Sequence, residues 1–530
     1  MASAQTATDP DGVEIKTKYL RLEKTHQTED EVLPLWRKLC FAVGGAPYQI
    51  TATVIGFFLN IFLLEVALLK PRYVSIILFS GKAWDAVTDP TIGILVQKTN
   101  TRWGKMRPWI LLSTPFACAC YFLLFYIPWG TKLDSKGLLV VDASDSAKLG
   151  FYFAVYCLFQ GFLTCLHVPY TAMTMYVTTV QKERDSITFI RMAFEVTGVL
   201  VAVVTQGLFV GNTRCKGNEE PGVNRTGLLE QKEAYFHSSL VVVGIYLLCC
   251  LTVFFGTQEK KGVLMDSKEH EMGFFTGIKT VFTYRPYLWA SLTFLFLTIA
   301  IQTVQGNIAL FCTHTLKEGE EFSKFILVLL IVSIVSMPGW HLISGRFGKK
   351  KAYAAGMILM LPILFTQLFM PANSKEMYYC VMVVAGLSIS VSFLLPWSVL
   401  PDVLDLYTIE KNVRHDAVFY SFYVFFNKIA SGIALAVSQL ALEFGGYVSG
   451  ECKQPDSVAE TLRLLVTPGP VVLVLLALIC LYKYPIDEER RLWIRDQITT
   501  MTLEIEKSTV PWVDTSKSYE SMKPVSDTEM

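Results

Sequence analysis

Long apolar runs separated by short polar connections recur twelve times along the chain. They cover approximately 40–69, 73–97, 109–129, 148–178, 187–212 and 236–256, then 286–314, 322–345, 352–371, 376–400, 415–443 and 461–484. Each reaches the roughly 20 residues that a helix needs to cross a hydrocarbon core about 30 Å thick. The pattern predicts an all-α membrane protein with twelve transmembrane helices. A polar connector divides them into sixes, giving a cytosolic N-terminal tail (1–39), a six-helix bundle (40–256), a cytosolic connector (257–285), a second six-helix bundle (286–484) and a cytosolic C-terminal tail (485–530). Within the connector, Phe274 to Phe282 reads either as an amphipathic helix on the inner surface or as a plain linker. Beyond Arg491 the tail is polar and reads as disordered.

The two sixes repeat one another. Arg102-Trp103-Gly104-Lys105-Met106-Arg107 follows the second span, and Arg346-Phe347-Gly348-Lys349-Lys350-Lys351 follows the eighth. Val168-Pro169-Tyr170-Thr171 in the fourth span is matched by Leu395-Pro396-Trp397-Ser398 in the tenth. Parallel repeats of this kind belong to transporters whose binding site lies between the halves near the bilayer midplane. Short loops rich in Lys and Arg stay in the cytosol, so the even-numbered connections are assigned inside. The sequon Asn224-Arg225-Thr226 falls in the fifth connection, on the outside, which makes Asn224 a candidate glycan acceptor.

Composition narrows the class. Of 530 residues, 52% are hydrophobic, 13% aromatic and 18% charged, too apolar for soluble domains. A net charge of +1 supplies no clustered basic surface for nucleic acid. Residues 1–38 are polar and the first apolar run is long enough to remain a span, which predicts no cleaved leader. The seven His are scattered without metal-ligand spacing, and no hydrolytic motif is present, so the chain reads as a transporter rather than an enzyme. A receptor would bind without moving its ligand, and uptake into proteoliposomes separates the two. Most of the twelve Cys lie in apolar runs, as small hydrophobes. Cys215 and Cys452 instead fall in outer polar loops, where an oxidising compartment permits a disulfide between the halves.

Ionisable residues at membrane depth mark pathways for ions or substrates. Asp85 and Asp89 lie in Trp84-Asp85-Ala86-Val87-Thr88-Asp89-Pro90, and their i, i+4 spacing puts both carboxylates on one helix face. Their oxygens could converge on a hard cation, with Thr88 between them as a further oxygen donor. At 1.5 Å per residue, Asp85 lies roughly 18 Å in from Tyr73 and Lys428 roughly 20 Å in from His415, both near mid-depth. Lys428 then is either a structural counter-charge for the acids or a functional cation in its own right. Gln49, Thr51 and Thr53 line one face of the first span. Glu65, His167, Arg191 and Glu195 are further polar positions, the last two spaced to pair with each other. Gly44, Gly45, Gly81 and Gly93 are expected to be close-packing sites.

The six-plus-six layout with its Arg-x-Gly-Lys loops resembles the major facilitator superfamily. The Trp84 to Pro90 segment resembles its cation-coupled branch, which includes the melibiose-type sugar symporters. More narrowly, Gly45-Ala46-Pro47-Tyr48-Gln49-Ile50, His167-Val168-Pro169-Tyr170, Glu183-Arg184-Asp185-Ser186, Leu394-Leu395-Pro396-Trp397-Ser398, Tyr420-Ser421-Phe422-Tyr423 and Tyr484-Pro485-Ile486-Asp487-Glu488-Glu489 are similar to the family of sodium-dependent lysophosphatidylcholine symporters. The resemblance runs from the first span to just beyond the last.

It implies a sodium-coupled importer of long-chain lysophospholipids, polyunsaturated ones included, working by alternating access. Sodium would be a co-substrate at Asp85 and Asp89, no cofactor would be required, and Lys428 would meet the lipid phosphate. Gln49 and Gln305 join Lys428 as substrate contacts, and Cys215, Cys452 and Asn224 match the family's loop cysteines and sequon. It further implies a monomer in the plasma membrane with an endoplasmic reticulum pool, surrounded by membrane lipids. Gln305 stands where that branch carries an acid, Asn427 replaces a Thr before Lys428, and Leu406 interrupts a pair of acids, which leaves headgroup choice open. The alternatives are a sphingosine-1-phosphate-type exporter, whose branch tends to lack the first Asp of the pair, and a cation-coupled sugar symporter.

Overall fold

A computed structural model describes residues 33–99, 101–133, 139–178, 181–210, 225–259, 280–411, 415–451 and 453–509. In the first half, helices Leu35–Ala42 and Gly45–Val54 continue through π turns Ile55–Leu59 and Phe62–Val66 as the first span. Spans two to six are Pro71–Lys98, Arg107–Leu124, Asp145–Val177, Gln181–Val210 and Arg225–Gly256. In the second half, Arg285–Leu310 ends in the π turn Phe311–Thr315, and spans eight to eleven are Phe322–Phe347, Lys349–Leu368, Lys375–Lys411 and Asp416–Phe444. The twelfth comprises Asp456–Val466 and Pro468–Lys483, which meet at buried Thr467 because Pro468 and Pro470 cannot continue the preceding ladder. A short antiparallel hairpin, Thr131–Leu133 with Leu139–Val141, sits in the third connection.

Eleven of these spans are long and apolar enough to cross a bilayer. The second differs through charge rather than length. Its 28 residues reach about 42 Å, but Lys82, Asp85 and Asp89 interrupt its middle. Outward-facing Phe444, Phe189 and Val335 are among many large exposed apolar side chains, the surface expected of a multi-pass membrane protein.

Two expectations need correction. The first part of the segment after Arg491 is not irregular: Glu488–Thr509 forms a helix, and residues 510–530 lie outside the described residues. Asp487 Oδ1 accepts from the Arg490 backbone N–H at 2.9 Å, capping the helix start, while Ile494 and Ile498, one turn apart, pack on the inner core of the second half. The polar average of the segment hides that stripe. Gly93 is no close-packing site, since a Cβ there would meet nothing within 4 Å. At Gly44, Gly45 and Gly81 a Cβ would strike Tyr170, Glu195 and Tyr156, as expected. The stretch Phe274 to Lys279 lies outside the described residues.

The apolar cores show how the halves are joined. One core unites both halves on the outer side, with Phe58, Phe62 and Leu64 of the first span packed together with Phe311, Phe322 and Phe325. Phe58 meets Phe322 edge-on at 5.5 Å. On the inner side the described residues form separate cores. Phe41, Ile92, Tyr170 and Ile187 belong to one, and Tyr287, Tyr353, Leu400 and Phe419 to another. Each comes from a single half, so the halves are sealed outside and packed independently inside.

Candidate functional site

The second and eleventh spans run antiparallel across the boundary between the halves. At the outer end the Arg72 backbone N–H donates to Glu443 Oε2 at 2.7 Å. Further in, Gly432 presents no side chain to Phe79 and Lys82, whose atoms would lie 3.1–3.4 Å from a Cβ there, and this lets the backbones approach. The contact ends on Lys428, whose Nζ lies 2.9 Å from Asp85 Oδ1 and 2.5 Å from Asp89 Oδ2. One ammonium thus occupies the point where both carboxylates converge, as the i, i+4 spacing required. The Lys428, Asp85 and Asp89 side chains are 18%, 11% and 25% exposed, so Asp89 is the more open carboxylate.

A neighbouring helix orients the more buried acid, Asp85. Thr164 of the fourth span donates its hydroxyl to Asp85 Oδ1 at 3.1 Å. Thr88 Oγ1 lies 3.3 Å from Thr164 Oγ1 and donates to its own helix at the Asp85 carbonyl, 3.1 Å away. Thr88 therefore supports the cluster from beside it and is not bonded to a carboxylate. Lys82, one turn outward of Asp85, makes no ion pair among the described residues, and electrostatic influence links it to Asp85, Asp89 and Lys428. Two acids and two ammonium groups make the cluster formally neutral. At this depth a net charge would be costly, so the balance follows from the surroundings.

Other expected positions fall around this centre. Tyr48 stacks on His167 with ring centroids 3.8 Å apart, and both feel the charges of Lys428 and Asp85. Arg191 Nε lies 3.2 Å from Glu195 Oε1, the pair its spacing predicted. Thr51 is fully buried and turns back on its own helix, donating to the Pro47 and Tyr48 carbonyls at 3.0 Å. Gln49 is half-buried, without a hydrogen bond to the charged cluster among the described residues. Gln305 packs against Gly56 at the seam between the halves, and Gln302 donates to its Oε1 at 3.4 Å. Cys215, Cys452 and Asn224 lie outside the described residues.

Thr164 and Lys82 escaped the sequence reading for different reasons. Lys82 carried a signal, being an ionisable residue at depth in the same span, two positions before the motif. Thr164 carried none, because only the packing of the second span against the fourth brings it to Asp85. Within the described residues no cluster of three or more His, Cys, Asp or Glu side chains is arranged to hold a metal. Oxygen donors for a hard monovalent ion are present at Asp85, Asp89 and Thr164, at the place Lys428 fills.

Residues 40–488 match the family described as MFS/sugar transport protein. The "Sodium-dependent lysophosphatidylcholine symporter 1-B" of Danio rerio is 44% identical over 485 residues, covering 88% of this chain and 90% of that protein. The "Sphingosine-1-phosphate transporter MFSD2B" of Xenopus tropicalis is 36% identical over 484 residues, covering 88% and 91%. Among solved structures, a bacterial homolog of the human lysosomal transporter Spinster superposes with a TM-score of 0.57 at 12% identity, covering 87% of this chain and 96% of that one.

Proposed function

Because the chain belongs to the MFS/sugar transport family, we propose that it is a sodium-coupled symporter that imports lysophospholipids across the plasma membrane by alternating access, with a further pool in the endoplasmic reticulum and both termini in the cytosol. The reading rests on Lys428 holding Asp85 and Asp89 at once across the boundary between the halves. Sodium on the two carboxylates would displace the ammonium, and a lipid phosphate would receive it. Counted at the cluster alone, sodium on the acids and a phosphate at the ammonium cancel, whereas either by itself leaves an unbalanced charge in a poorly polarisable interior; the cation of a zwitterionic headgroup lies beyond the cluster and is answered elsewhere. That cancellation makes the two substrates favour each other's binding, and the linkage must act in both directions. The relatives named for lysophosphatidylcholine and for sphingosine-1-phosphate both carry a phosphate-bearing lipid in their names, which fits an ammonium as the anchor.

Uptake into proteoliposomes tests the reading. Lysolipids sharing one acyl chain but differing in headgroup, together with a disaccharide, are offered with and without an inward sodium gradient. Sodium-driven accumulation of phosphate-bearing lysolipids, with no disaccharide uptake, is the expected result. Accumulation indifferent to sodium removes the coupling, and export of sphingosine-1-phosphate without sodium dependence would move the chain to the exporter reading.

A further inference from the structure

The third and sixth spans stand side by side in the first half but end at different heights. Arg107–Leu124 has 18 residues and reaches about 27 Å, close to the thickness of a hydrocarbon core, whereas Arg225–Gly256 has 32 and reaches about 48 Å. Their inner ends are level, because the Arg107 side chain donates to the Phe254 carbonyl at 2.6 Å. The surplus of the sixth span therefore stands beyond the third on the outer side. Phe236 meets Phe122 edge-on at 5.5 Å and marks the level where the third span stops.

This step leaves a cavity of about 270 Å³ over the end of the shorter helix. Phe125 and Tyr126 form its floor, where the helix gives way to the outward turn at Pro128. Leu229, Lys232, Glu233 and Phe236 form its wall, and their spacing of i, i+3, i+4 and i+7 puts them on one helix face. Lys232 is half-buried, and its ammonium makes a single long bond among the described residues, to the Trp129 carbonyl at 3.4 Å. An ammonium has three donors, so two remain to be used. Glu233 is exposed, and its carboxylate has no ion pair among the described residues. The Tyr126 and Phe236 rings lie beside these charges with centroids 6.3 Å apart. One small space thus holds a cation, an anion and two aromatic rings, above a helix end whose last carbonyls carry partial negative charge.

From this arrangement we infer that the cavity binds the phosphocholine headgroup of a two-chain lipid of the outer leaflet, with the phosphate on Lys232 and the quaternary ammonium against Tyr126, Phe236 and Glu233. A phosphate calls for a charged donor. A quaternary ammonium has no N–H to donate, and is held instead by aromatic faces and nearby negative charge. Lys232 and Glu233 balance one another as the two ends of the headgroup do, and an anionic headgroup without a cation would meet Glu233 as a repulsive neighbour.

The level of the cavity fits a lipid of the surrounding bilayer. It opens where the apolar part of the third span ends, between Tyr126 and Trp129, residue types that sit at headgroup depth. Below it, Phe116 of the third span is 50% exposed and Leu240 of the sixth is 45% exposed, one apolar flank for each of two acyl chains. Both spans pack on neighbours of their own half, so the site is separate from the boundary between the halves where Lys428 holds Asp85 and Asp89.

Native mass spectrometry of the full chain tests the site, with dioleoylphosphatidylcholine and dioleoylphosphatidylglycerol added in steps, because these share their chains and phosphate and differ in the cation. The parent is expected to keep one phosphatidylcholine at concentrations where phosphatidylglycerol is lost. Lys232→Ala should weaken that retention by about tenfold, the size of one lost charge-assisted bond, and Lys232→Arg should restore it. Glu233→Gln should weaken phosphatidylcholine by about threefold while strengthening phosphatidylglycerol, since the anion that favours one opposes the other. Lys428→Ala should retain phosphatidylcholine as the parent does. Equal retention by the parent and Lys232→Ala, or equal binding of the two lipids by the parent, overturns the site. Loss of phosphatidylcholine in Lys428→Ala places the lipid between the halves and overturns it as well, and lysophosphatidylcholine held at Lys232 in preference to the two-chain lipid overturns the choice of occupant. Sodium-driven uptake is expected at the parent level in the Lys232 and Glu233 variants, so failure of the lipid site and failure of the transport reading are seen separately.

Discussion

The second and eighth spans occupy the same place in their halves but carry opposite chemistry. Asp89 and Ser333 each lie thirteen residues before the arginine of their loop, Arg102 and Arg346. In the first half the position holds a carboxylate, and the neighbouring fourth span supplies Thr164 to the acid one turn away. In the second half it holds a hydroxyl, and the tenth span supplies Ser390, which donates to Ser333 O at 2.9 Å and touches Ser336 Oγ. The serines satisfy one another within their own half. The acids do not, and take Lys428 from across the boundary. A duplicated frame thus becomes an asymmetric machine: one half holds the charge, and the other supplies the charge that answers it.

Removing the answering charge should have the largest effect. Lys428→Ala leaves Asp85 and Asp89 facing each other with Lys82 as the nearest cation, and losing one partner of a buried pair costs about 3–5 kcal/mol. Sodium-driven lysolipid uptake should fall by about a hundredfold or more at unchanged surface expression, read by transport in proteoliposomes beside cell-surface labelling. Uptake near the parent level would show that the two acids need no partner and that the halves differ less than their chemistry suggests.

Much of this asymmetry was legible in the chain. The apolar rhythm located every span, because a membrane helix must be apolar over a fixed length, but it missed polar helical ends, as in the sixth span, which begins at Arg225 rather than near 236. Asp85, Asp89 and Lys428 stood out because ionisable residues at such depth are rare, and helix periodicity put the two acids on one face. The tenth span hid its length: its polar end, Asp402 to Lys411, looked like loop but continues the helix to 37 residues, with Asp402 paired to Lys349 at 2.7 Å. Thr164 and the union of Glu65 with His314, whose Nε2 lies 2.7 Å from Glu65 Oε1, were hidden for a common reason. They depend on which helix faces which, and local pattern carries no information on that. The repeat, matched at the Arg-x-Gly-Lys loops, did not reveal that the ends of the first and seventh spans are also equivalent, since Glu65 and His314 share backbone geometry without sharing residue type.

Thr164→Val should come next in size. It removes one hydrogen bond to a charged acceptor, worth about 1.5–3 kcal/mol, while keeping the side chain's shape. The half-saturating sodium concentration should rise by about tenfold with little change in the maximal rate at high sodium, because the hydroxyl orients Asp85 without answering its charge. Sodium titrations of lysolipid uptake read this directly. An unchanged sodium requirement would place the ion away from Asp85.

The counterpart substitution, Ser390→Ala, should have the smallest effect on transport and so gives the sharpest control on the comparison. Ser390 is buried and bonds to Ser333 O, Ser333 Oγ at 3.3 Å and Gly386 O at 2.7 Å, all neutral groups of its own half. Losing such a bond costs about 1 kcal/mol of stability, visible as a small fall in melting temperature. The sodium requirement should stay within about twofold of the parent, because no charge on this side awaits an ion. A sodium shift as large as that of Thr164→Val would mean that the second half also feels the ion, and the hydroxyl cluster would then be a working part of the cycle rather than the inert member of the pair.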